Sequence, residues 1–156
     1  MHTLFKTVLV GAMLALATNA ALAADSAAGT WKLNAAKSTF SPGPAPKSQT
    51  RTYVESAQGM SLTIKTVAAD GKDSAYTITY SYDGKPYAAT GSPDFDMVSV
   101  TRVDASTVTS IQTKAGKAVG TGTRSVSKDG KTMTFAAKFT DAKGVKHDDM
   151  SIFDRQ

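Results

Sequence analysis

Few residues in this sequence could do covalent or metal chemistry. There is no cysteine and there are two histidines, so thiol nucleophiles, disulfides, iron–sulfur clusters and thiolate zinc sites are excluded. His147-Asp148-Asp149 sets an imidazole beside carboxylates, a combination suited to a metal or an acid–base pair. On a strand, neighbouring residues face opposite sides, so only two of the three can cooperate. Asp94 and Asp96, following Gly91-Ser92-Pro93, have the spacing of weak calcium ligands but lack the glycine and distal glutamate of a loop site. Glu55 is the single glutamate, so any paired-carboxylate site must be built from aspartates. No Gly-x-Ser-x-Gly, phosphate-binding glycine loop or dinucleotide fingerprint is present, and no cofactor or metal is expected.

Binding chemistry is better supplied. Tyr76, Tyr80, Tyr82, Tyr87, Phe95 and Phe135 provide enough aromatic surface to line an apolar cavity with hydroxyls at its edge, or else to pack an ordinary core. Met60, Met97, Met133 and Met150 suit either role, because methionine fills irregular space. Tyr80, Tyr82, Tyr87, Phe135 and Phe139 are the expected apolar ligand contacts, with Arg124 as the polar one. Arg124 shares a strand face with Gly120, Gly122 and Val126. If that face points inward, Arg124 is a buried cation that needs an anion; if outward, it is a solvated charge. Small residues on both faces leave the choice open.

The elements that must position these side chains are strands. Asp70-Gly71, Asp83-Gly84, Ala115-Gly116, Asp129-Gly130 and Lys143-Gly144 are hairpin signals, and Asp104-Ala105-Ser106 marks another turn. Neighbouring turns fall roughly 11 to 14 residues apart, except where Gly91-Ser92-Pro93-Asp94 intervenes. Between them Met60, Leu62 and Ile64 alternate with Ser61, Thr63 and Lys65. Tyr76, Ile78, Tyr80 and Tyr82 alternate with small residues, as do Met133, Phe135, Ala137 and Phe139. Each strand is bulky on one face and polar on the other, the mark of a sheet with one covered side. Strands are expected over 29–34, 49–57, 60–68, 74–82, 85–90, 97–103, 107–114, 117–127, 132–140 and 147–154. Nothing of helical length carries a 3.6-residue apolar period. An all-β antiparallel up-and-down meander closed into a barrel of eight to ten strands hides the apolar face and removes the edges. A two-sheet sandwich is the alternative, disfavoured because the connections are uniformly short. The Ser, Thr and Lys of the outer faces and the tight turns at both ends disfavour a membrane barrel.

Ahead of the first strand lies a different kind of segment. Lys6 precedes an apolar run from Thr7 to Ala17, and Ala21-Leu22-Ala23 supplies small residues at the positions a signal peptidase reads. Residues 1–23 are expected to be a cleaved signal peptide and residues 24–156 a single barrel domain, periplasmic or secreted from a bacterium. No cysteine follows the run, so lipid attachment is excluded. Cleavage takes Lys6 and His2, so the formal charge of +5 falls to +4 and His147 is the only imidazole left. The lysines sit singly at turns, with no basic stripe among aromatics, so nucleic acid is not an expected partner.

Gly29-Thr30-Trp31-Lys32-Leu33 resembles the Gly-x-Trp first strand of lipocalins and related calycins. Thr123-Arg124-Ser125-Val126 with Asp129-Gly130-Lys131, and the closing Ser151-Ile152-Phe153-Asp154-Arg155, are similar to the last hairpins of the fatty-acid-binding-protein branch. The whole resembles a bacterial secreted lipocalin-like (calycin) protein. The resemblance implies a calycin-like barrel holding a small hydrophobic or amphipathic molecule. It also implies that Trp31 plugs the closed end beneath an arginine, Arg155 or Arg124. Two departures matter. Pro42, Pro44 and Pro46 forbid the helix pair that lids intracellular fatty-acid binders, leaving an extended, polyproline-like crossover. Arg124 matches one arginine of that branch's carboxylate clamp, but Ser151 and Phe153 stand where its other arginine and tyrosine belong. Two further readings compete with ligand binding. One is an envelope interaction module whose barrel is filled by its own side chains and which displays its Pro42–Pro46 and Tyr87–Phe95 segments. The other is an aspartate-based enzyme, which requires a charged group with a perturbed pKa inside the barrel.

Overall fold

The computed structural model describes residues 25–156; the expected signal peptide over 1–23 lies outside the described residues. Ten antiparallel strands follow one another in order. They are β1 (Gly29–Leu33), β2 (Ser48–Ser56), β3 (Gly59–Val67), β4 (Asp73–Tyr80), β5 (Asp83–Thr90), β6 (Met97–Arg102), β7 (Thr107–Lys114), β8 (Lys117–Val126), β9 (Thr132–Thr140) and β10 (Lys146–Arg155). Each pairs with its sequence neighbour, and β1 also pairs with β10, Trp31 opposite Arg155, so the sheet closes into a barrel. A sandwich is thereby excluded. No α-helix occurs among the described residues, and none is long and apolar enough to cross a membrane.

Local chemistry accounts for the meander. In Asp70-Gly71-Lys72 and Asp129-Gly130-Lys131 the aspartate accepts the backbone N–H two residues on, at 3.0 Å in both, while the glycine takes a positive φ. Asp141 does the same for Lys143 at 2.9 Å. The bulky faces identified in the sequence turn inward: Met60, Ile64, Ile78, Tyr80 and Met133 are buried. The β5 strand starts two residues earlier than expected, because Asp83 pairs with Thr101 across a bulge before Pro86. The seam between β4 and β5 has the fewest residues in register, Thr77–Thr90 and Ile78–Ala89.

The strand directions give the barrel two unlike ends. At one end lie the first described residues, the β4–β5 and β8–β9 turns and the end of β10. Here Trp31, Met60, Val108, Val126, Met133 and Phe153 fill the interior. At the other end lie the 34–47 crossover, the 91–96 loop and the 141–145 turn. The crossover begins with a 3-10 turn, Ala35–Lys37. It then runs along β10, Thr39 bridging Met150 and the Asp148 N–H donating to the Ser41 carbonyl at 2.7 Å. The crossover is thus free of the helix pair, as expected, but it is not a continuous polyproline-like stretch: it lies along β10 over residues 39–41 as a strand-like edge, with Phe40 at the cavity wall.

The β8 face left open in the sequence points inward. Val126 and Arg124 are buried, Gly122 lies against the Phe135 ring and Gly120 against the Cβ of Phe139. A Cβ on Gly120 would stand 2.7 Å from the Phe139 Cβ and 3.1 Å from the Lys138 carbonyl oxygen, neither of which can swing away. Gly120→Ala should therefore lower stability by about 1–3 kcal/mol, measured by urea unfolding. A cost near zero would show that Phe139 does not depend on the missing side chain.

Candidate functional site

The filled end is organised by arginines. Arg155, and not Arg124, stacks on the Trp31 ring, its guanidinium carbon 4.1 Å from the ring centroid. It also donates to the carbonyls of Gly130, Ala28 and Ser26 at 2.5, 2.6 and 2.6 Å. The Trp31 indole N–H donates to the Ala27 carbonyl at 2.8 Å. Residues 26–28 are thus fastened across the barrel end, and they carry Asp25 inside.

Asp25 is the anion that Arg124 requires. Arg124, 3% exposed, donates through Nη2 to Asp25 Oδ1 at 3.4 Å. The same carboxylate accepts from the Tyr82 hydroxyl at 2.6 Å, Arg102 Nη2 at 2.7 Å and the Ala27 N–H at 2.8 Å. The Asp25 N–H donates to Glu55 at 2.7 Å. Burial alone would raise the Asp25 pKa. The bonds from Tyr82 and Ala27, the charge of Arg124 and the bond from Arg102 outweigh it and hold the pKa below the ordinary value. Burial first, and the bond to Asp25 with it, raises the Tyr82 phenol, keeping it a neutral donor.

The opposite end is hollow. A cavity of about 290 Å³ opens among the crossover, the 91–96 loop and the strand ends. Phe40, Tyr76, Phe95, Phe135 and Phe139 form its apolar wall, while Gln49, Arg51 and Gln112 face it with polar atoms. Arg51, 6% exposed, lies against the Phe135 and Phe153 rings at 4.1 and 4.8 Å and donates through Nε to Gln49 Oε1 at 3.1 Å. It forms no ion pair among the described residues. Burial pushes the Tyr76 phenol up to about 12, so its hydroxyl is uncharged, and the ring packs edge-on to Phe95 at 5.4 Å. The loop carrying Phe95 is tied down: Asp94 accepts from the Ala142 N–H and Asp96 from the Ala115 N–H, each at 2.9 Å.

The structure separates the residues expected to share one site. Phe135 and Phe139 line the cavity. Tyr80 and Arg124 instead border a smaller inner void, and Tyr82 belongs to the Asp25 cluster. Tyr87 is half-buried near the filled end, its hydroxyl bonded to Asp83 at 3.0 Å, so it is not a cavity residue. These four lie too close to the filled end of their strands to reach the opening. His147-Asp148-Asp149 does not converge: His147 stacks on Phe139 and meets Asp141, Asp148 pairs outside with Lys138, and Asp149 receives the Ser41 N–H. Asp94 and Asp96 tie down turns. Inside the barrel the perturbed acid is Asp25, fully engaged by four donors. At the mouth, burial raises Asp149 against the pull of the Ser41 N–H.

Sequence reasoning overlooked Asp25, Phe40, Gln49, Arg51 and Gln112. For Arg51 a signal existed, since it shares a face with Tyr53. Flanking threonines, at home on either face of a strand, obscured it.

No protein-family model and no curated protein matches the chain. Among solved structures, that of zebrafish ileal bile acid-binding protein complexed with cholic acid is similar. Its sequence identity is 8% and its TM-score 0.47, covering 84% of this chain and 99% of that one.

Because Asp25 titrates below its ordinary value of 3.8 when folded, the stability it contributes is complete above that value. It is lost as pH falls through the lower, folded pKa. Asp25→Asn should lower stability at neutral pH by on the order of 3 kcal/mol. It should also flatten the acid loss below about pH 4, followed by circular dichroism. An acid limb as steep as that of the unaltered protein would mean that Asp25 is not linked to folding.

Proposed function

We propose that this protein is exported and holds a small amphipathic molecule non-covalently in the open half of its barrel. The observation that carries this reading is the cavity of about 290 Å³, walled by aromatic rings and floored by a buried arginine with no acidic partner among the described residues. Its volume is near the lower edge of the range of ligand pockets, about 300–1,000 Å³, so the ligand is small. Burial of its apolar body supplies most of the affinity, at about 25 cal/mol per Å². Arg51, Gln49 and Gln112 orient the polar end. A barrel filled by its own side chains would leave a space far below the range of ligand pockets, which disfavours the interaction-module reading. The bacterial lipocalin-like resemblance of the terminal strands and the signal-peptide pattern of residues 1–23 agree with a periplasmic or secreted binder.

Titration with decanoate, decanol and anilinonaphthalene sulfonate tests the reading. One equivalent of at least one of these should bind. Ala137→Leu, which adds bulk to the cavity wall, should weaken binding at least about tenfold. Arg51→Met should weaken the carboxylate about 10- to 100-fold, corresponding to a lost charged hydrogen bond, and leave the alcohol nearly unchanged. A folded protein that binds none of the three probes would refute the proposal. For export, the mass of the protein recovered outside the cytoplasm should correspond to a chain starting at Ala24.

A further inference from the structure

Behind the open cavity, toward the filled end, lies a second and smaller space of about 50 Å³. The two compartments meet at Arg51, Tyr76, Phe95, Gln112 and Phe135, which border both. The rest of the chamber wall is mostly aliphatic, from Leu62, Ile64, Ile78, Val98, Val100 and Val108, with Ser110 as a further polar residue. Two guanidinium groups border it, Arg51 and Arg124, together with Tyr53 and Tyr80.

The charges around this chamber do not balance. Arg51 and Arg124 are both buried, and Asp25 is the only buried acid among the described residues. Asp25 is not even Arg124's alone: Arg102 holds it at 2.7 Å, against 3.4 Å for Arg124. Arg124 Nε and Nη1 make no hydrogen bond, although both are buried. Among the described residues Arg51 has only the Gln49 amide oxygen as a hydrogen-bond acceptor, on Nε. Stacking on aromatic rings eases the burial of a cation but does not cancel its charge. An excess positive charge in an apolar enclosure is costly, and an anion that enters removes the cost.

We propose that the inner chamber is a site for a small monovalent inorganic anion of halide size, held between Arg51 and Arg124. The volume agrees with that class. One water requires about 10–15 Å³ of such space, so the chamber has room for a single small ion with a water or two. Tyr53 and Tyr80 also border the chamber, and a phenol O–H can donate to an anion. The site differs from the outer cavity in ligand and in volume and does not depend on an amphipath being bound there.

The test uses bromide. Crystals grown in bromide should show an anomalous peak in the chamber, between the two guanidiniums. The melting temperature should be a few degrees higher in chloride or bromide than in gluconate at equal ionic strength. Arg51→Met leaves the Asp25–Arg124 contact in place and should abolish that difference. Asp25→Asn should enlarge it, because Arg124 then has no protein carboxylate. A chamber without anomalous signal would overturn the proposal, as would equal melting temperatures in the two salts. So would displacement of bromide by decanoate, since the chamber would then be the head-group seat of the amphipath. Failure of decanoate, decanol and anilinonaphthalene sulfonate alike to bind, with bromide still present, would sink the outer-cavity reading and leave the anion site standing.

Discussion

Burying a guanidinium inside a β-barrel costs several kcal/mol unless an anion meets it, and in this protein the anion for Arg124 comes from outside the sheet. Asp25 precedes β1 and enters the barrel end only because residues 26–28 are held across it by Arg155 and the Trp31 indole. Without that strap Arg124 would face an apolar interior with Tyr82 as its one remaining neutral partner. The closed end is therefore more than a plug of apolar side chains. It is an ion-bearing assembly in which three arginines and one carboxylate fix where the first residues of the domain must lie.

A barrel closed in this way can leave its other half hollow. The side chains of Phe135 and Phe139 lie against glycines of β8, the Phe135 ring on Gly122 and the Phe139 Cβ on Gly120, so bulk on one strand is matched by its absence on the next. This arrangement places two large aromatic side chains along the cavity wall without filling the cavity. The crossover and the 91–96 loop then complete the wall from the rim. Both are held by backbone N–H groups donating to aspartates, Asp149 for the crossover and Asp94 and Asp96 for the loop. The fold thus divides into a rigid, ion-bearing half and an open half bordered by tethered loops.

Much of the scaffold was legible in the sequence, because hairpin chemistry and two-residue alternation are local. Asp-Gly-Lys turns announced where strands end, and runs such as Met60-Leu62-Ile64 announced which side faces in. The site was less legible. Whether an inward side chain lands in the filled half or the hollow half depends on its height along the strand, which no local pattern encodes. Tyr80 and Phe139 look alike in sequence and fall in different compartments. Asp25 was beyond reach for another reason: its role arises from Arg124, 99 residues away. Phe40 gained its position from the way the proline-rich strap lies along β10, again a tertiary fact.

The strap at the closed end joins the first and last segments of the domain, with Arg155 gripping Ser26 and Ala28 across 129 and 127 residues of chain. Contacts of such sequence separation cannot form until β10 has been synthesised. Before then Arg124 has been made but Asp25 has no clasp to hold it in place, and β1 lacks one of its two neighbours. The nascent chain can build hairpins in sequence, yet it cannot retain a closed barrel as a stable intermediate. Folding of this domain is consequently a late, collective event dominated by non-local contacts, and comparatively slow for its size.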